Sequence, residues 1–161
     1  MNVEREPSRV GLGLTAGAGL LAAAGALLAG SGVTLLGAAV AVAGVYRCSR
    51  LLLGVGVLGL FLGVFAAAVS GVPTGLVALS MSGTVLAWDV GENAISVADH
   101  LRERADTTRI EVVHAATSGL VVGFFALGAY VVFLLADAGQ PATAIALLFV
   151  GAAVGLYAIL R

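Results

Sequence analysis

The chain is short of almost everything a water-soluble domain needs. Only 11% of its 161 residues are charged, against about a quarter in an ordinary soluble protein. That leaves too little polar surface to cover a globule in water, and no room for a separate soluble domain. Lysine is absent, so all eight basic residues are arginine. The net charge of −1 excludes bulk electrostatic attraction to nucleic acid. The lone cysteine, Cys48, rules out an internal disulfide and any cysteine-based zinc site. Three prolines and a low aromatic content leave few rigid turns or large core side chains.

What is present is apolar. Hydrophobic residues make up 60% of the chain and the mean hydropathy is +1.10. The expected solvent is therefore a bilayer, and the expected fold is all-α: a polytopic membrane helical bundle, one domain over residues 1–161. Six apolar segments can be drawn, at about 10–29, 33–46, 51–70, 75–88, 112–136 and 142–160. Gly30-Ser31-Gly32, Arg47-Cys48-Ser49-Arg50, the Pro73 loop and Asp137–Pro141 punctuate them. Segments two and four fall short of the roughly 17 residues a spanning helix needs. The first segment follows a start of mixed charge and is expected to be retained rather than cleaved.

Six spans with a cytoplasmic N-terminus put every arginine on the cytoplasmic side, as the positive-inside rule requires. Both termini then face the cytoplasm of a cell membrane. No segment has an ionisable residue in its middle, which argues against an ion-coupled carrier. Ser80, Ser82, Thr84, Thr117 and Ser118 are expected to bond to helix backbone. Glycines four apart (Gly13/Gly17, Gly59/Gly63, Gly119/Gly123, Gly151/Gly155) read as close helix packing, with homo-oligomerisation as a further option.

The one polar stretch is WDVGENAISVADHLRERADTTRIEVVH, residues 88–114, with nine of the seventeen charged residues and both histidines. Asp89 and Glu92 have the spacing of a helix cap, and Gly91 disfavours continuation of the fourth span. A separate amphipathic helix is therefore expected over about 90–105, within a cytoplasmic segment 89–111. Its apolar stripe is Val90, Ala94, Val97, Ala98, Leu101 and Ala105. Such a helix suits either the membrane interface or the ends of other helices. Its opposite face offers Glu92, Asp99, Glu103 and Asp106 as a partner-binding surface. Thr108-Arg-Ile-Glu111 reads as a capping box that opens the fifth span.

Asp89, Glu92, Glu111 and His114 form two pairs at i, i+3 spacing, the spacing of carboxylate–histidine metal sites in bundles. The plainer reading, which we prefer, gives them roles as caps and helix-dipole partners, because the second Glu-x-x-His of a di-metal site is missing. No catalytic residue, cofactor or metal is assigned: there is no nucleophile elbow, no Ser/His/Asp set and no phosphate loop. Cys48, between two arginines, is either a reactive thiol or a small interfacial residue.

The segment AWDVGENAISVADHLRERADTTRIEVVHAATSGLVVG resembles the central part of a family of small integral-membrane proteins of halophilic archaea. That family has a similar Trp-Asp-x-Gly-Glu run followed by an Asp/Thr/Arg/Glu run before an apolar helix. Its members lie near genes for MoxR-type ATPases and transglutaminase-like membrane proteins. The resemblance covers about a quarter of the chain and transfers no functional residues. It implies an archaeal plasma membrane and a complex-forming role. The expected function is a scaffold or accessory subunit that meets a membrane or cytoplasmic protein through residues 89–111. The alternative is a small transporter or channel for a neutral solute.

Overall fold

The computed structural model describes residues 8–28, 32–100 and 107–135. The described elements are five helices: α1 (Arg9–Leu28), α2 (Val33–Tyr46), α3 (Arg50–Val69), α4 (Thr74–His100) and α5 (Thr108–Leu135). No strand occurs among the described residues. Helices α1, α3 and α5 are long and apolar enough to cross a membrane, while α2 is apolar but shorter. The chain divides into two compact units, Met1–Gly128 and Ala129–Arg161. Within the second, the rings of Tyr130 and Phe133 stack with centroids 6.4 Å apart. The sixth apolar segment, 142–160, and Gly151/Gly155 lie outside the described residues.

The α2–α3 hairpin is built by matched small and large residues. On α2 the seam is Thr34, Gly37, Ala41 and Gly44; on α3 it is Leu53, Gly56, Leu60 and Gly63. Gly44 meets Leu53, Ala41 meets Gly56, Gly37 meets Leu60, and Thr34 meets Gly63. Each seam advances by three, then four, then three residues, which is the heptad rhythm of knobs in holes. A β-carbon on Gly37 would lie 2.6 Å from the Leu60 backbone nitrogen, so the two backbones approach as only glycine allows. The effective glycine spacing is therefore seven. Of the pairs four apart, Gly59/Gly63 packs against α2, whereas Gly13/Gly17 and Gly119/Gly123 meet no neighbouring atom.

Two turns follow one plan. At the end of α2, Cys48 N–H donates to Val45 O (2.9 Å) and Ser49 N–H to Gly44 O (2.8 Å). At the end of α3, Gly71 N–H donates to Ala68 O and Val72 N–H to Ala67 O. Both are Schellman closures, which need a residue in the left-handed region. Gly71 has φ +84°, and Cys48 takes the same place with φ +48°. Ser49 then caps α3 by accepting from Leu52 N–H.

Helix α1 packs antiparallel on α4, with Gly25 beside Ser80, Ala22 beside Gly83 and Gly11 beside Ala94. Two buried clusters fill the centre: Ala22, Ala38, Leu60 and Ala87 in one, and Ala41, Val45, Leu53, Ala94 and Ile95 in the other.

The separate helix expected from about residue 90 is replaced by a continuous α4, which runs through Asp89, Gly91 and Glu92 to His100. Gly91 does not break it. A β-carbon there would lie 2.8 Å from Leu53 Cδ1 and 3.2 Å from Val45 Cγ2. Its role is clearance for α3 and α2 at a buried position. The apolar stripe is real at its start: Val90 and Ala94 are buried, with Ile95 beside them. It packs into the bundle, the second of the two uses the sequence allowed. Residues 101–106 lie outside the described residues.

Candidate functional site

One end of the first unit gathers the start of α1, the α2–α3 turn, the last turns of α4 and the start of α5. Three polar links tie these elements together. The first starts from Arg50, the first residue of α3. Glu92, Ser96 and Asp99 stand at i, i+4 and i+7 on α4, so they form one column on one face. The Arg50 guanidinium pairs with Glu92, donates to Ser96 Oγ at 3.2 Å, and lies 3.7 Å from Asp99 Oδ2. The Arg50 side chain is half exposed, so each ion pair is worth only about 0.2–1 kcal/mol.

The second link is buried. Glu111 is 2% exposed. Its Oε2 accepts from Ser8 Oγ at 2.5 Å and its Oε1 from Thr107 Oγ1 at 2.7 Å. Ser8 Oγ also accepts from Gly11 N–H at 2.9 Å, which caps α1. Two helix N-termini thus converge on one carboxylate, where their dipoles favour negative charge. Helix α5 is entered one residue earlier than the capping box expected from Thr108. Thr107 O accepts the first helical bond, from Glu111 N–H, so Glu111 is the fourth helical residue rather than the third, and its carboxylate accepts hydroxyls from Thr107 and from Ser8, the residue before α1.

The third link joins α4 to α5. Asp89 Oδ2 and His114 Nε2 are 2.9 Å apart. Both atoms are shielded from solvent, and neither forms a well-directed hydrogen bond to a described group. The contact is therefore a close but misaligned pair rather than a formed hydrogen bond. It stands at the mouth of a groove of about 350 Å³ between α4 and α5.

These links redistribute the residues singled out in the sequence. Asp89 and His114 meet, but Glu92 turns to Arg50 and Glu111 to Ser8 and Thr107. Residues three apart on a helix differ by roughly 60° in direction, and here that angle selects different neighbouring helices. Among the described residues, no three of His, Cys, Asp and Glu are grouped to hold a metal. On the expected partner face, Glu92 and Asp99 are engaged with Arg50, while Glu103 and Asp106 lie outside the described residues.

Sequence reasoning did not single out Arg50, Ser8 or Thr107 as partners of these acids. Ser8 does carry a local signal, a serine just before an apolar run. Its bond to a residue 103 positions away carries none. Inside the bundle the hydroxyls behave as expected. Thr15, Ser82, Thr84 and Thr117 donate to the carbonyls of Gly11, Ala78, Ser80 and Val113. Ser80 instead bonds to a neighbouring helix, its Oγ accepting from Gly25 N–H of α1 at 2.9 Å.

No curated protein and no solved structure matches this chain. A family model matches residues 5–156, nearly the whole length. The chain therefore belongs to the family of unknown function DUF7519.

Proposed function

We propose that this chain is a multi-pass protein of the cell membrane, with both termini in the cytoplasm, and that it serves as a scaffold or accessory subunit of a membrane complex. The observation that carries this reading is the one-ended distribution of charge. Arg9, Arg47, Arg50, Asp89, Glu92, Asp99, Arg109 and Glu111 all belong to the end where α1 and α5 begin. The positive-inside rule makes that end cytoplasmic. Residues 142–160 then supply a sixth span that returns Arg161 to the same side. The resemblance of the central segment to membrane proteins of halophilic archaea is what supports an archaeal plasma membrane.

The polar groups at this end tie helices to one another. Among the described residues they do not assemble a nucleophile with a base and an oxyanion site, which a hydrolytic or transfer reaction needs. Use of charge for architecture suits a subunit better than an enzyme. Since Arg50 already engages Glu92 and Asp99, Glu103 and Asp106 in the link after α4 carry the docking proposal.

The test is co-purification of a tagged chain from its own membranes, compared with a Glu103→Arg/Asp106→Arg variant. The expected result is a protein partner lost in the variant, with unchanged thermal stability. The rival reading is passive passage of a neutral solute. A groove of about 450 Å³ between α3 and α4 is the feature in its favour, although its lining is almost wholly apolar. Absence of any protein partner, together with solute flux in proteoliposomes holding this chain alone, would establish that rival.

A further inference from the structure

Val85 and Trp88 on α4 form a ridge with a groove on either side. The α3–α4 groove is lined by residues such as Val57, Phe61 and Met81, with Thr84 its one hydroxyl. The α4–α5 groove differs because its polarity is graded along its depth. At its mouth stand Trp88, Asp89, His114, Thr117 and Ser118. Its floor is Val85 on α4 and Val121 and Val122 on α5. With 1.5 Å of rise per residue, Val85 lies about 6 Å deeper than Asp89, and Val122 about 12 Å deeper than His114. A polar mouth at the charged end above an apolar floor is the shape of a site for an amphiphile standing along the helices. The volume of about 350 Å³ falls within the range of small-molecule sites.

The chemistry of the mouth narrows the headgroup. Among the described residues it holds one carboxylate, one imidazole and two hydroxyls, and no arginine. A phosphate needs arginine, lysine or a helix N-terminus to hold it, and here it would face Asp89. A headgroup hydroxyl both donates and accepts, so it suits the partly exposed carboxylate and imidazole of Asp89 and His114, which it reaches through atoms other than the shielded Oδ2 and Nε2. Thr117 already donates to Val113 O, which leaves its oxygen as an acceptor. The Trp88 ring, 55% exposed at the rim, offers a flat amphipathic face at the depth where such rings favour the interface.

We propose that the α4–α5 groove binds one membrane lipid whose headgroup is an uncharged sugar or polyol. Its hydroxyls bond to Asp89, His114, Thr117 and Ser118, and its chain lies along Val85, Val121 and Val122. The proposal is independent of the accessory-subunit reading, because it uses none of the residues assigned to docking.

The experiment is native mass spectrometry of the full chain, purified in a polyoxyethylene detergent that carries no sugar. Three probes with identical acyl chains are added: monoglucosyl dioleoylglycerol, dioleoyl phosphatidic acid and dioleoyl phosphatidylethanolamine. The expected result is preferential retention of one glucosyl lipid per chain. His114→Ala removes the imidazole, and Val121→Trp fills the floor from a position that is half exposed. His114→Ala is expected to weaken retention by about tenfold, the equivalent of one lost hydrogen bond to a polar site, and Val121→Trp to weaken it by occupying the place of the chain, both with helicity unchanged. Equal retention of the three probes by the wild-type chain would overturn the proposal without recourse to any variant. So would preference for either phospholipid, or undiminished glucosyl lipid retention in a folded variant.

Discussion

Glu111 shows how a single residue sets the geometry of this end of the molecule. A buried carboxylate is costly unless it is fully bonded. This one receives two hydroxyl hydrogen bonds and faces two helix starts. Those donors fix the start of α5 against the start of α1, although 103 residues separate Ser8 from Glu111. Cys48 is the opposite case, a residue at odds with its backbone. It holds the left-handed position of a Schellman turn that Gly71 fills in the next connection. Left-handed geometry costs a non-glycine residue roughly 1–2 kcal/mol, and the greater freedom of glycine in the unfolded chain returns part of that. Cys48 also packs on the buried Val45 and Leu53 cluster, so the backbone effect is read at Gly71, where an added β-carbon would meet no neighbouring atom. Gly71→Ala should lower stability by about 0.5–1 kcal/mol, read by thermal unfolding in detergent, and an unchanged or raised midpoint would refute the reading.

At the scale of elements, the α2–α3 hairpin depends on clearance. A β-carbon on Gly56 would collide with the backbone of Ala41, which cannot move aside without parting the helices. Gly13 faces open space. Gly56→Ala should cost about 1–3 kcal/mol, the usual penalty of overpacking, and Gly13→Ala should cost nothing measurable. Equal effects of the two substitutions on thermal stability would contradict the heptad seam. The same contrast explains what was legible in the sequence. Hydropathy marks the apolar runs, and by itself it puts α2 at its observed bounds and α1 and α3 within one residue of theirs. Spacing alone could not tell a glycine that clears a neighbour from one that faces lipid, so the four-residue pairs were a poor guide. Read locally, Asp89, Gly91 and Glu92 look like a boundary, which would end α4 at Trp88. In the bundle His114 and Arg50 meet the two acids, while Leu53 and Val45 pack on the glycine. Those partners are remote in sequence, and no local pattern reports them.

At the scale of the whole molecule, the account rests on the first unit, an apolar bundle whose described charged residues lie at one end. The three long apolar helices make a membrane protein of this family member, and the concentration of charge gives that protein a side from which to work. The acids at 103 and 106 are useful to a partner only if they lie on the arginine-bearing side, and the Val72 turn must lie on the other. Single cysteines placed at 103 and at 72 in a Cys48→Ser background test this in intact cells with a membrane-impermeant thiol reagent. The account predicts labelling at 72 from outside, and labelling at 103 only after the membrane is opened. Labelling of 103 in intact cells, or of both positions alike, would contradict it.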